Sequence, residues 1–386
     1  MRRELLIAAG PGEWRAVWVE DGVPVELHVE RGDIHPAGSI HLGRVVRLAA
    51  GLDAALVDIG EERPGFLPMR GDPPHEGARL LVQVQRETQR GKGARLSARI
   101  AEADRLAAEA AALDPPTRLH PAPGFAFSLK LRLPGCPDRV LIDDIGPISE
   151  LRRAFPNSEV AQCLIGDWPF DLEGLFEAAL APTVSLPDAG AIHIDEGRAS
   201  VLIDVDTGSP ETGSAARSAR RANLAASRTI ARQMRLRRLG GGIVVDFAAL
   251  DAGRERERVR QAVAAALADD PAQPQILGWT RLGHLEIVRP RRFRSLSETM
   301  LEPQGRRKNA VTLTFEALRQ LASEARANPA ANWHLAVIPT VEAALRGPAA
   351  AALAALETRL GRRITIAPMR SGEPDWGARP FDIAAL

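Results

Sequence analysis

Apolar and polar positions alternate with a period of two from residue 4 to residue 30, which is the pattern of strands that bury one face. Turn residues at 10–12 and 21–22 divide the region 4–30, so the pattern there predicts short antiparallel strands. Five more short apolar runs follow, at 41–48, 54–59, 65–69, 80–85 and 95–99. Short strands in this number, with glycine at the corners, favour an OB-type barrel.

Helical periodicity begins near residue 98 and then alternates with strand-like runs, as in α/β layers. The first predicted helix, 98–113, ends at Asp114-Pro115-Pro116 because proline cannot continue the helical hydrogen bonding. The later predicted strands are 139–142, 200–205, 242–247, 285–288, 334–338 and 364–367. The later predicted helices are 149–155, 171–180, 215–239, 255–268, 314–327, 340–345 and 350–360.

Composition narrows the class of protein. The chain has 386 residues, of which 50 are Lys or Arg and 49 are Asp or Glu, so two or three folded domains are expected and a disordered polyion is excluded. Two cysteines are too few for a disulfide framework or a four-thiolate metal site, which favours a reduced, cytoplasmic protein. No apolar run is long enough for a signal peptide or a membrane span. The sequence lacks Gly-x-Ser-x-Gly, His-Glu-x-x-His and Walker motifs, which excludes the enzyme classes that depend on them.

Two predicted strands each carry an aspartate near their C-terminal end, Asp204 in one and Asp246 in the other. Carboxylates on neighbouring strands can share one hard cation. Magnesium suits such a site because it binds through one or two carboxylates and keeps water for a substrate phosphate. A strand-end aspartate also often caps the next turn or helix. That alternative fits either residue alone, whereas the pair favours the metal.

The interval between Glu211 and Asp246 has no acidic residue but many arginines. They are Arg217, Arg220, Arg221, Arg228, Arg232, Arg235, Arg237 and Arg238. Such a run is commonly a solvated face, and heavy use of arginine can follow from a GC-rich genome. Like charges without counter-ions nevertheless repel one another, and a bound polyanion relieves this repulsion by supplying the opposite charge. Aspartates ready to bind magnesium beside an arginine helix therefore indicate phosphodiester chemistry.

The predicted barrel adds candidates for contacts with a single-stranded nucleic acid. They are one aromatic and three basic residues: Phe66, Lys92, Arg44 and Arg95. Bases stack on aromatic rings while cations follow the phosphate backbone. The alternative for Phe66 is that it belongs to the core of the barrel.

These motifs resemble those of the ribonuclease E/G family of endoribonucleases, and the resemblance runs over nearly the whole chain. Residues 39–68 are similar to the family's OB-fold RNA-binding domain. Several segments resemble, in order and spacing, its DNase I-like catalytic subdomain: 203–208, 223–226, 230–237, 239–241, 243–247 and 280–286. Residues 333–383 resemble the family's small terminal domain.

The resemblance implies a multidomain α+β and α/β fold, in which an OB-fold barrel is inserted in an RNase H-like domain. A DNase I-like catalytic subdomain and a small C-terminal α/β domain follow. The expected boundaries are 1–36 and 101–188 for the two RNase H-like parts, the second with a linker helix. The barrel is expected at 37–100 and the catalytic subdomain at 189–299. A linker and the small domain are expected at 300–386.

The resemblance also implies an activity. Asp204 and Asp246 would hold a magnesium ion, and the chain would cut single-stranded RNA, in RNA processing (including that of ribosomal RNA) or decay, leaving 5′-phosphate and 3′-hydroxyl ends. The family has Asn at the position of Asp206, so this residue is expected beside the metal with an added negative charge. The residues expected to bind RNA are Phe66, Lys92, Arg44, Arg228, Arg232, Arg235 and Arg237.

Two departures from the family limit what carries over. The family's zinc-binding Cys-x-x-Cys falls at 301–304, which is Leu-Glu-Pro-Gln here, so no zinc is expected and a homodimer is left as an open alternative. The stretch 100–139 is shorter than in the family, which implies that most of the family's 5′-monophosphate pocket is missing.

Two rival hypotheses remain beside the magnesium-dependent ribonuclease. In one, the chain is a non-catalytic RNA-binding protein that retains the fold. In the other, the arginine-rich surface binds a protein or ribosomal partner.

Overall fold

A computed structural model describes residues 1–32, 37–69, 73–86, 93–101, 103–122, 124–187, 190–208, 215–248, 253–303, 305–369 and 380–385. Within these residues the chain has a mixed α/β architecture built on four β-sheets. In the same part of the chain, no helix combines the length and the apolarity that crossing a bilayer requires.

Three antiparallel strands open the chain, as the alternation predicts: β1 (Arg3–Gly10), β2 (Glu13–Glu20) and β3 (Val23–Arg31). Seven of the eight residues of β2 are buried, because both faces of this sheet are covered. Its apolar side chains enter two separate cores, with Trp14 and Trp18 in one and Val17 and Val19 in the other.

The predicted barrel is present and is OB-like. Its strands are β4 (Ile40–Ala49), β5 (Ala54–Asp58), β6 (Gly65–Pro68), β7 (Arg79–Arg86) and β8 (Arg95–Ser97). They follow the order β5-β6-β8-β7-β4, and the pairing of β4 with β5 closes the barrel. Gly65 is required by close packing, since a Cβ there would lie 2.5 Å from a methyl carbon of Leu96.

The stretch after the barrel contains more regular structure than its prolines suggest. It forms α1 (Ala103–Ala110), β9 (Thr117–His120) and α2 (Phe125–Arg132). Helix α1 is shorter than the predicted 98–113. Strand β9 and helix α2 are not among the predicted elements, and β9 adds a further strand beside β4.

The next elements complete the first sheet: β10 (Arg139–Ile142), α3 (Ile148–Ala154), β11 (Glu159–Gln162) and α4 (Leu172–Leu180). Strand β10 pairs with β1 and β11 pairs with β10, both in parallel, which gives the order β11-β10-β1-β2-β3. The barrel is therefore an insertion between two parts of one sheet.

A six-stranded sheet follows, with two helices. Its elements are β12 (Thr183–Ser185), β13 (Ala191–Glu196), β14 (Ser200–Asp206), α5 (Ala215–Leu236), β15 (Gly241–Asp246), α6 (Gly253–Leu267), β16 (Gln275–Trp279) and β17 (Leu285–Arg289). The strand order is β12-β13-β14-β15-β17-β16. Helices α5 and α6 pack on one face, where residues such as Ile203, Val245 and Met234 form the core.

The remaining elements are α7 (Leu296–Met300), α8 (Ala310–Ala327), β18 (Trp333–Val337), α9 (Pro339–Arg346), α10 (Ala350–Leu360), β19 (Thr365–Pro368) and β20 (Phe381–Ala385). The strands form a small sheet in the order β19-β18-β20, and the three long helices share its core. The predicted helices of this region are confirmed. Strand β20 was not predicted.

A buried ionic cluster joins the first sheet to α8. The carboxylate of Glu13, only 1 % exposed, accepts hydrogen bonds from Arg15, Arg31 and Arg319. Burial alone would raise the pKa of Glu13, but the guanidiniums of Arg31, Arg15 and Arg319 outweigh it and lower the pKa from 4.5 to about 2. Glu13 is therefore ionised at neutral pH and holds three cations that come from different elements.

Candidate active site

The two predicted aspartates lie side by side. Strands β14 and β15 are parallel, and Asp204 and Asp246 are register partners at their C-terminal ends. Their chain neighbours Ile203, Val205 and Val245 point into the helix-covered core. Because side chains alternate along a strand, both carboxylates fall on the opposite face, where both residues are exposed. The sequence prediction that neighbouring strands bring these two carboxylates together is confirmed.

Asp206 lies on the same face as Asp204, two residues further along β14. Its Oδ1 accepts a hydrogen bond of 2.9 Å from the backbone N–H of Gly208, which fixes the carboxylate at the edge of the aspartate pair. The residue is exposed. The site therefore has a third negative charge close to the first two.

Buried Asn223 of α5 supports the end of β15. Its side-chain Nδ2 donates to the carbonyl oxygen of Ala248, and its Oδ1 accepts from the Ala248 N–H, at 2.7 and 3.0 Å. The residue is fully buried, and this amide pair fixes the backbone two residues after Asp246. Asn223 lies in the segment 223–226, which resembles the family, but its role could not be inferred from the sequence. Ala249, which follows, is outside the described residues.

Two histidines that the sequence analysis did not select flank the aspartates. His193 on β13 is the register partner of Asp204, and Nε2 of His284 lies 3.5 Å from Oδ2 of Asp246. The signal for His193 was available in the sequence, because it alternates with the buried residues Ile192 and Ile194. The signal for His284 was weaker, since it lies in a turn before β17.

The arginines of α5 differ in exposure and in the contacts that they make. Arg228 and Arg232 are exposed, as is Arg221 on the same side of the helix. Arg220 pairs with Glu255 of α6 through two hydrogen bonds. The expectation that this run lacks counter-ions is therefore wrong, because acidic partners are supplied from other elements.

Two arginines expected at the RNA surface have structural roles instead. Arg235 donates to Glu20 of β2 and Glu26 of β3, with distances of 2.9 to 3.3 Å. Arg237 is only 3 % exposed and donates from Nε to Gln233, and burial lowers its pKa to about 10. Both are thus removed from the basic surface that the sequence predicted, because tertiary contacts cover them.

The outer face of the barrel carries a row of aromatic and basic residues. Pairing across the strands aligns Arg47, Leu56, Phe66, Arg95 and Arg86 in that order. The three arginines are exposed and Phe66 is half-buried. Phe66 is outside the residues that form the barrel core, which favours the stacking interpretation.

The structure describes one of the two remaining barrel candidates, Arg44, but not the other, Lys92. Arg44 is exposed on β4, opposite Asp58 of β5 and Arg79 of β7. Lys92 lies outside the described residues.

The donor set at the aspartates suits a hard, oxygen-seeking cation. Among the described residues, no group of three or more His, Cys, Asp or Glu side chains is arranged to hold a metal ion. Magnesium does not require three protein ligands, since one or two carboxylates and several waters can fill its octahedral coordination sphere. The exposed pair Asp204 and Asp246 meets that requirement.

Comparison with known proteins agrees with this geometry. A family model described as "Ribonuclease E/G family" matches residues 168–292, which include both aspartates. Ribonuclease G of Escherichia coli (strain K12) is 24% identical, with both chains covered over their full length. Ribonuclease G of Haemophilus influenzae is 26% identical over 82% of this chain and 87% of its own. Ribonuclease E of Escherichia coli (strain K12) is 26% identical over 95% of this chain and 45% of its own. The chain is therefore similar to the ribonuclease E/G family at residues 168–292 and to ribonuclease G over its full length.

Proposed function

We propose that the chain is a magnesium-dependent endoribonuclease that hydrolyses single-stranded RNA and leaves 5′-phosphate and 3′-hydroxyl ends. The observation that carries the proposal is the register pairing of Asp204 with Asp246 at the ends of two parallel strands. The similarity to ribonucleases G and E supports the endoribonuclease class. The cation and the end chemistry are proposed from the carboxylates and from the family resemblance.

The strand orders support a finer domain assignment. The order β11-β10-β1-β2-β3, with the barrel inserted after β3, supports an RNase H-like domain interrupted by an OB-fold. The six-stranded sheet with α5 and α6 on one face supports a DNase I-like catalytic subdomain. Residues from about 300 onward would form the small terminal domain.

Asp204 and Asp246 would hold the magnesium ion, with Asp206 beside them. When bound, the ion would lower the pKa of a coordinated water and neutralise charge on the phosphate. Parallel strands β14 and β15 place the two carboxylates on a sheet face that is open to solvent. Asn223 fixes the backbone that follows Asp246.

Exposed cations mark a path for the RNA strand. Arg221, Arg228 and Arg232 follow one side of α5, the helix that connects β14 to β15. The barrel row around Phe66 offers a second surface, where bases can stack while Arg95 and Arg86 meet phosphates. The barrel surface favours a single strand, because stacking requires unpaired bases.

A direct assay tests the proposal. The purified chain is incubated with an end-labelled, A/U-rich single-stranded RNA, with and without magnesium. We expect internal cleavage only with magnesium, and products that carry a 5′-phosphate. RNA binding without cleavage in either condition would favour the non-catalytic RNA-binding protein.

Replacing Phe66 by alanine is expected to weaken RNA binding by about 1 to 3 kcal/mol, the contribution of one base stacked on an aromatic ring. Titration of a fluorescent oligonucleotide measures the dissociation constant. The matched control is Phe127→Ala, which removes a partly exposed phenylalanine of α2 outside the barrel. If Phe66→Ala unfolds the chain instead, Phe66 belongs to the core.

RNA binding is expected to weaken strongly with salt, because each neutralised phosphate of a single strand contributes about −0.7 to the log–log slope. The double variant Arg228→Gln, Arg232→Gln should reduce the magnitude of the slope by about 1.4 if each arginine neutralises one phosphate. Arg346→Gln, an exposed arginine of α9, is the control and should leave the slope unchanged. An unchanged slope in the double variant would exclude this side of α5 as an RNA surface.

A further inference from the structure

One row of side chains crosses the open face of the six-stranded sheet. Thr183, His193, Asp204 and Asp246 are successive register partners on β12, β13, β14 and β15. His284 comes next, with its Nε2 3.5 Å from Asp246. The order across the sheet is therefore one histidine, two aspartates and one histidine.

Thr183 fixes the ring of His193. Its Oγ1 lies 3.0 Å from Nδ1 of that imidazole. A hydroxyl that donates to Nδ1 selects the neutral tautomer with the hydrogen on Nε2. Side chains paired across neighbouring antiparallel strands have their Cβ atoms about 5 Å apart. An N–H donor on His193 would thus be held beside the carboxylate of Asp204.

A short closed turn fixes His284 on the other side. Its N–H donates to Oγ1 of Thr280 at 3.1 Å, and its carbonyl oxygen accepts from the Thr280 N–H at 2.8 Å. Gly283 completes the turn with a φ of +93°, a backbone conformation that favours glycine. His284 is half-buried. Its position beside Asp246 is therefore set by the backbone.

We propose that both histidines belong to the active site, an inference that rests on the proposed ribonuclease function. His193 is a catalytic residue whose Nε2–H donates a hydrogen bond to a non-bridging oxygen of the scissile phosphate. His284 is a positioning residue that orients the carboxylate of Asp246. Phosphoryl oxygens gain negative charge in the transition state, and a donor fixed in advance stabilises that charge without reorganisation.

His193→Ala tests the first role. We expect kcat to fall by about 10² to 10³, the usual effect of removing one such donor. The KM for RNA and the affinity for Mn²⁺, measured by electron paramagnetic resonance, should stay unchanged. His193→Gln should restore part of kcat because its amide supplies an N–H. His334→Ala, on β18 of the small domain, is the control and should match the wild type.

His284→Ala tests the second role. We expect Mn²⁺ affinity to fall by about 10- to 100-fold, the usual effect of losing a residue that orients a metal ligand. His284→Gln should retain most of that affinity. Unchanged Mn²⁺ binding and cleavage in His284→Ala would overturn its positioning role.

The outcomes also separate this inference from the proposed function. A His193→Ala variant that cuts within threefold of the wild type, while Asp204→Asn is inactive, would overturn the role of His193 and leave the ribonuclease standing. Loss of Mn²⁺ affinity in His193→Ala would overturn it too, because the residue would then act on the metal. A wild-type chain that does not cut RNA with magnesium would overturn the proposed function and this inference with it.

Discussion

Asp204→Asn and Asp246→Asn are each expected to reduce RNA cleavage by about 10³-fold or more, which corresponds to about 4 kcal/mol of activation free energy. Each substitution replaces a charged oxygen ligand by a neutral amide of the same shape. The two residues are register partners on the open sheet face, so either change removes one of the two charged ligands proposed for the cation. Initial rates on an end-labelled RNA over a range of magnesium concentrations measure the effect.

RNA binding should separate from cleavage in these variants. Arg228, Arg232 and the barrel row are unchanged, so the dissociation constant should stay within about twofold of the wild type or improve as negative charge is removed. Asp195→Asn is the matched control, because Asp195 is an exposed carboxylate on the same face of β13. Cleavage at the wild-type rate by either Asp204→Asn or Asp246→Asn would show that the two-aspartate site is wrong.

Glu13→Gln is expected to lower the free energy of unfolding by about 3 to 5 kcal/mol, the usual cost of removing one partner from a buried ionic cluster. The neutral amide would leave Arg15, Arg31 and Arg319 with too little negative charge in a buried setting. Urea unfolding followed by tryptophan fluorescence measures the loss. The control Arg346→Gln breaks an exposed pair within α9 and should cost no more than about 0.5 kcal/mol.

The ionic cluster around Glu13 also predicts that the folded chain loses stability at low pH. The pKa of Glu13 is lowered to about 2 in the folded chain from its ordinary value of 4.5. Its contribution to stability is therefore fully present above pH 4.5 and is lost as the pH falls toward 2. Glu13→Gln should lack this part of the acid response. If wild type and variant lose stability in parallel over that range, Glu13 does not carry the effect.

The aspartate pair could be predicted from the sequence because it depends on short segments of the chain. Each aspartate ends a run of β-branched and apolar residues, and the parallel pairing of β14 with β15 follows from the intervening helix α5. The barrel strands were predictable for the same reason, since each short run has its own glycine or polar boundary. In these regions, local pattern and tertiary structure agree.

Tertiary contacts explain what the sequence could not predict. Arg235 meets Glu20 and Glu26, which precede it by more than 200 residues, so no pattern within α5 shows that it is engaged. Strand β9 is only four residues long and lies between prolines, and it forms because β4 offers an edge. The alternation around His193 is visible in the sequence, but its place beside Asp204 follows only from the register of β13 against β14.

The pairing of Asp204 with Asp246 also bears on the motions of the site. Adjacent strands lie about 4.8 Å apart, so the backbone hydrogen bonds of the sheet set the separation of the two Cα atoms. Their separation can grow only if those bonds break, and the amide hydrogens of β14 and β15 should therefore exchange slowly with solvent. The two strands therefore hold the backbone of both aspartates in place before RNA binds. The entropic cost of forming the complex then falls mainly on the RNA strand, which must be held straight across the sheet.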